Sequence, residues 1–154
     1  MADDLSVAME RLRTSTQRLN KICDDAAQTV RDTEAFLEEM QIGIKTYIPI
    51  EKIYDNDTEE LVQSVNFGYD KYTNGKFRFT ISHVNEWTGN TNDMSVTAWS
   101  EASRELKLQS YEKLPELLIE IAKNVDDRVA KAERVVTEVT AQLTLPKKRK
   151  VGDK

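Results

Sequence analysis

The chain has 154 residues, 39% apolar and 32% charged, with 5 Gly, 3 Pro, one Cys and one His. That balance supports one ordinary domain with a core and excludes collagen-like, mucin-like and wholly disordered classes. The net charge is −5, no run approaches the roughly 18 apolar residues of a membrane-spanning helix, and the acidic, mixed start MADDLSVAMERLR does not read as a secretory signal peptide.

The first element is a helix over residues 1–42. Alternate steps of four and three residues give Leu5, Met9, Leu12, Thr16, Leu19, Cys23, Ala26, Val30, Thr33, Leu37 and Met40, with no Pro or Gly between them. Such a heptad predicts an apolar seam along one face of a long helix, and a seam of that length needs another helix to cover it. Cys23 falls inside the seam, where it acts as a small hydrophobe rather than a reactive thiol. A single cysteine cannot form an intrachain disulfide, so the expected location is intracellular and cytoplasmic.

Between residues 43 and 100 the period changes to two. Ile44, Thr46, Ile48 and Ile50 form one alternating set, followed by Leu61, Val65, Phe67 and Tyr69, then Phe77, Phe79, Ile81 and His83, then Met94, Val96 and Ala98. Polar turns such as Tyr54–Asp57 and Thr88–Asn90 separate them, so a four-stranded antiparallel meander is expected. Asp55–Glu60 resembles the start of a calcium loop, but Glu60 and Asn66 stand where that loop requires Gly and Glu, so the cluster reads as a turn. At Thr73-Asn74-Gly75-Lys76 a two-residue turn would put the apolar residues of the two strands on opposite faces. A three-residue loop, 73–75, instead pairs Tyr69 with Phe79, Phe67 with Ile81 and Val65 with His83, and places Gly75 in the left-handed region.

Residues 103–145 read as helices. A short one begins at Ser103 as its cap, and a long one carries Pro115 in its first turn. Its 4–3 stripe runs through Tyr111, Pro115, Leu118, Ala122, Val125, Val129, Ala132, Val136, Val139 and Leu143. The fold class is therefore α+β, with long N-terminal and C-terminal coiled-coil helices flanking a four-stranded meander. The two helices are expected to fold back on each other within one chain or to pair between chains, the fold-back being favoured and a dimer expected. The candidate oligomer interface is Leu5, Met9, Leu12, Leu19, Val30, Leu37, Val125, Val129, Val136, Val139 and Leu143.

Residues 146–154 are expected to form a basic disordered tail. Lys147, Lys148, Arg149, Lys150 and Lys154 face only Asp153 there, leaving residues 1–146 with 17 basic against 26 acidic residues. The run Pro146-Lys147-Lys148-Arg149-Lys150-Val151 resembles monopartite nuclear-localisation signals of the large T antigen type, less one lysine. That resemblance implies nuclear import if the tail is native to a eukaryotic or viral protein; otherwise electrostatic contact with nucleic acid through the tail alone remains.

Catalytic signatures are missing: there is no G-x-G-x-x-G, G-x-x-x-x-G-K-[ST], G-x-S-x-G or H-E-x-x-H. His83 has no second histidine to share a metal. No catalytic, cofactor-binding or metal residue is therefore assigned. The expected function is a non-enzymatic scaffold or adaptor, oligomerising through its helices and binding a partner protein through the head. Tyr47, Tyr72 and Trp99, interleaved with Lys45, Lys71, Lys76 and Arg78, are the candidate partner surface. The alternative is a nucleic-acid-associated or nuclear regulatory protein that uses the tail.

Overall fold

The computed structural model describes residues 1–85 and 94–143. Its order is helix α1 (Ala2–Glu39), strands β1 (Thr46–Tyr54), β2 (Leu61–Lys71), β3 (Phe77–Asn85) and β4 (Met94–Ala98), then helices α2 (Arg104–Tyr111) and α3 (Leu114–Leu143). The four strands form one antiparallel sheet in chain order. This is the expected α+β arrangement of long terminal helices around a meander.

α1 stops three residues before the expected boundary, and its end explains why. Gln41 adopts the left-handed conformation at φ 56°. Its N–H donates to the Glu38 carbonyl and the Ile42 N–H to the Leu37 carbonyl, which closes the helix by a Schellman motif. Glutamine occupies the position where glycine is usual, so composition gave no stop signal there.

The hairpin register is the one the buried face demands. Tyr69 pairs with Phe79, Phe67 with Ile81 and Val65 with His83. Gly75 sits at φ 72°, and Asn74 shares the left-handed region at φ 68°. β1 continues the face with Thr46 opposite Tyr69 and Ile48 opposite Phe67, until a bulge between Pro49 and Glu51 shifts the register. A bulge and a proline on an outer strand both discourage pairing with another sheet.

Helices α1 and α3 cover this apolar face. The core joins Ala26, Val30 and Leu37 of α1 and Leu114, Leu117 and Ile121 of α3 to Ile48, Val65, Phe67, Tyr69, Phe79 and Ile81 of the sheet. The Phe67 and Phe79 rings tilt against each other at 5.6 Å, and Tyr69 and Phe79 at 5.5 Å.

Trp99 belongs to this core, being 1% exposed. The reason lies in the β4 register. Ile81 pairs with Thr97 and Thr80 with Ala98, so Met94, Val96 and Ala98 lie on the sheet face away from the helices. Odd-numbered positions face them, and Trp99 follows β4 in a single 3-10 turn, Trp99–Glu101. Its indole Nε1–H donates to Ser110 Oγ at 2.8 Å, and that hydroxyl donates in turn to the Leu106 carbonyl at 2.6 Å. α2 is thereby pinned to the end of the sheet, with Ser103 Oγ accepting from the Leu106 N–H as its cap.

The second sheet face is also closed in places. Tyr47, Gly68, Thr80 and Ala98 form one cross-strand row. The Tyr47 ring lies directly over Gly68, where a Cβ would stand 2.3 Å from Cδ1. Adding a methyl there forces the ring out of place. Gly68→Ala is expected to lower the unfolding free energy by about 1–3 kcal/mol in urea titrations. A Tyr47→Ala background should remove most of that cost, and full additivity of the two changes would contradict the stacking.

Candidate assembly arms and partner surface

The α1 seam divides into two halves. Val30 and Leu37 are buried in the core and Leu19 is half-buried, while Leu5 and Leu12 are 65% and 62% exposed and Met9 is equally open. Every residue of 1–18 is exposed. α3 divides in the reverse sense. Leu114, Leu117 and Ile121 are buried and Val125 packs against the core, whereas every residue of 126–143 is exposed, Val136 by 64% and Leu143 by 60%. Val129 and Val139 are likewise exposed.

Two expectations change. Val30, Leu37 and Val125 are used inside their own chain, because the sheet covers those levels of the helices, and they are not free to join a second copy. The favoured fold-back does not occur either: paired seams would hide Leu5 against Leu143 and Leu12 against Val136, and all four are exposed.

The α3 stripe is also rotated at its start. Pro115 and Ala122 are exposed, and the head is met by Leu114, Leu117 and Ile121 instead. On a straight helix of 3.6 residues per turn, a 3.5-residue repeat drifts about 20° per heptad. The drift brings Val129, Ala132, Val136, Val139 and Leu143 onto the continuation of the face that Leu114 and Ile121 bury. Each arm is therefore an outward extension of its helix's core-facing side, about 27 Å long for 18 residues.

Polar contacts hold α1 to the sheet. Glu34 Oε1 accepts the Phe79 N–H at 3.0 Å, one residue beyond the last β3–β4 pair, and Glu34 Oε2 lies 3.9 Å from Arg78 Nε. Lys76 Nζ and Glu38 Oε2 are 3.2 Å apart. The Tyr69 hydroxyl donates to the Ile42 carbonyl at 3.0 Å. Farther along, an Arg104 guanidinium N–H donates to Asn20 Oδ1, and Asn124 Nδ2 of α3 donates to Thr46 Oγ1. Burial raises the Glu34 carboxyl above its ordinary value, and the Phe79 N–H and Arg78 recover part of that cost.

The proposed aromatic surface is not assembled. Trp99 is in the core. Tyr47 is half-buried over Gly68 and donates to Asp70 Oδ2, and burial, then the Asp70 carboxylate, push its phenol upward. Tyr72 is half-buried, its hydroxyl donating to Glu101 Oε2 at 3.2 Å. Three of the four flanking cations face carboxylates: Lys45 lies 3.5 Å from Asp70 Oδ2, Lys76 meets Glu38 and Arg78 meets Glu34. Tyr47 and Tyr72 are thus spent on intrachain contacts.

Asp55 Oδ1 accepts the Asp57 N–H at 2.8 Å, and Asp55–Glu60 forms the expected turn. His83 and Cys23 are half-buried. Among the described residues no group of three or more His, Cys, Asp or Glu is placed to hold a metal ion, and no helix is long and apolar enough to cross a membrane. Lys147, Lys148, Arg149 and Lys150 lie outside the described residues, as does the expected turn at Thr88–Asn90.

No protein-family model matches the chain, and no curated protein or solved structure matches it.

The Glu34 environment sets a pH dependence. A carboxyl whose value is raised on folding contributes stability that is complete below its unfolded value of 4.5 and is lost as pH rises through the folded value. Glu34→Gln keeps an oxygen for the Phe79 N–H without the charge. The wild type should therefore be most favoured over Glu34→Gln near pH 4 and lose ground toward pH 7 in urea titrations; a wild-type advantage that grows with pH would contradict the burial account.

Proposed function

We propose that this chain is a non-enzymatic assembly protein whose two helical arms associate with other copies, the head serving to space and orient the arms. One observation carries the reading: two apolar stripes, Leu5–Leu12 and Val129–Leu143, stand out on helix ends that their own chain leaves wet, and the first runs on to the half-buried Leu19. Burying a large apolar side chain contributes of order 1 kcal/mol or more. Each arm continues a helix that the head already nucleates, so what covering the seam adds is the burial of its apolar side chains.

The scaffold reading gains nothing from the aromatic trio, since Tyr47, Tyr72 and Trp99 are engaged within the head. What supports it is the division of labour along each helix, with one half committed to the core and one half presented. The chemistry of the head's contacts is ordinary packing and ion pairing, which fits a spacer.

Leu12→Glu and Val136→Glu place a charge in the middle of each arm, far from the core. Sedimentation equilibrium should report an oligomer for the wild type and a mass reduced toward 17.7 kDa for either variant, with the near-ultraviolet signature of buried Trp99 unchanged. An oligomer mass unaffected by both changes would overturn the reading.

A further inference from the structure

We propose that two copies exchange arms, the α1 arm of each lying antiparallel to the α3 arm of the other. The inference rests on the assembly reading and adds the occupant and the register of each seam.

The two stripes match in length. Leu5, Met9, Leu12, Thr16 and Leu19 span 15 residues, as do Val129, Ala132, Val136, Val139 and Leu143. Run antiparallel, a positions meet d positions. Leu5 then faces the second copy's Leu143, Met9 its Val139, Leu12 its Val136, Thr16 its Ala132 and Leu19 its Val129. The two small, weakly apolar positions, Thr16 and Ala132, fall in the same layer, so no large side chain is left opposite a gap. The pairing stops at Leu19 and Val129: Leu19 is itself half-buried at the edge of its head, and the next seam residues, Cys23 and Val125, lie half-buried on the core side of that edge.

Charge points the same way. In an antiparallel pair the e positions oppose each other. The exchanged arrangement sets Arg13 beside the second copy's Glu133, and Asn20 beside its Asp126. An antiparallel pair of two α3 arms, in the register that uses their central layers, sets Glu133 against its own copy, which is repulsive. A parallel pair of two α1 arms places Ala8 and Ser15 against Arg13 and Asn20, and gains no ion pair. A parallel pair of α3 arms does bring Arg128 beside Glu133, but leaves both α1 stripes uncovered. Exchange covers all four stripes with two copies around a twofold axis and closes the assembly, whereas separate like-with-like pairs made with different neighbours propagate into open chains.

The test uses the full chain with Cys23→Ser, and two single-cysteine variants, Leu12→Cys and Val136→Cys, one of them carrying a size tag. Each alone, and the two after mixing and equilibration, are oxidised and resolved by mass, with the native mass measured in parallel. Exchange predicts a covalent pair only in the mixture, joining one copy of each variant. A second readout is charge reversal: Arg13→Glu should weaken the dimer at least several-fold, and Arg13→Glu with Glu133→Arg should restore it. A dimer that crosslinks Leu12→Cys to itself or Val136→Cys to itself, or that forms no crosslink, overturns the exchange and leaves the assembly reading standing. A native mass of one chain overturns both.

Discussion

The sheet and the helices differ in length, and most of the structure follows from that mismatch. Four strands spaced about 4.8 Å apart, the longer ones running about 30–36 Å, cannot cover a 38-residue helix that extends about 57 Å. The head therefore takes a segment from each helix, residues 19–37 of α1 and 114–125 of α3, and the rest continues past it. Nothing changes along the helix to mark the transition: the same stripe that delivers Val30 and Leu37 to the core delivers Leu5 and Leu12 to the surface.

Within the head, position is fixed by side chains that satisfy backbone groups at element ends. Glu34 takes an N–H where β4 has run out, Tyr69 takes up the carbonyl of Ile42 beyond the Schellman turn, and Ser110 holds the Trp99 indole while bonding back to its own helix. Burying a carboxylate to cap a strand edge is costly, and Arg78 offsets part of it. The Glu34 and Tyr69 contacts hold α1 on the sheet, and the Asn124 amide, donating to Thr46 Oγ1, holds α3 there, so the head bears on the direction in which each arm leaves it. In the proposed function that is the head's task.

Where the sequence was legible, one physical requirement dominated each element. The β2–β3 register could be read because a one-residue slip would turn Phe67, Tyr69, Phe79 and Ile81 to the wrong face, and the Ser103 cap because its chemistry is local. Legibility failed where a choice depended on three dimensions. Met94, Val96 and Ala98 look like the buried parity of β4, yet pairing with β3 puts them on the far face and hides Trp99. The heptads of α1 and α3 identified Leu5, Met9, Leu12, Val129, Val136, Val139 and Leu143 as a seam but not Val7 and Val135, which are exposed beside it, and periodicity alone cannot distinguish a sheet from a helix as the cover for Val30 or Leu37. The Glu34–Phe79 contact joins residues 45 apart and left no local pattern to read.

In the proposed assembly, residues 1–18 and 126–143 are covered in solution by arms of another copy. Amide hydrogen exchange followed by peptide mass, at high and at strongly reduced protein concentration, tests it without altering a residue. Protection of both arms that is strong in concentrated protein and falls on dilution, while the protection of β2 and β3 stays constant, is the predicted result. Arms that exchange as fast as fraying helices at every concentration would contradict it.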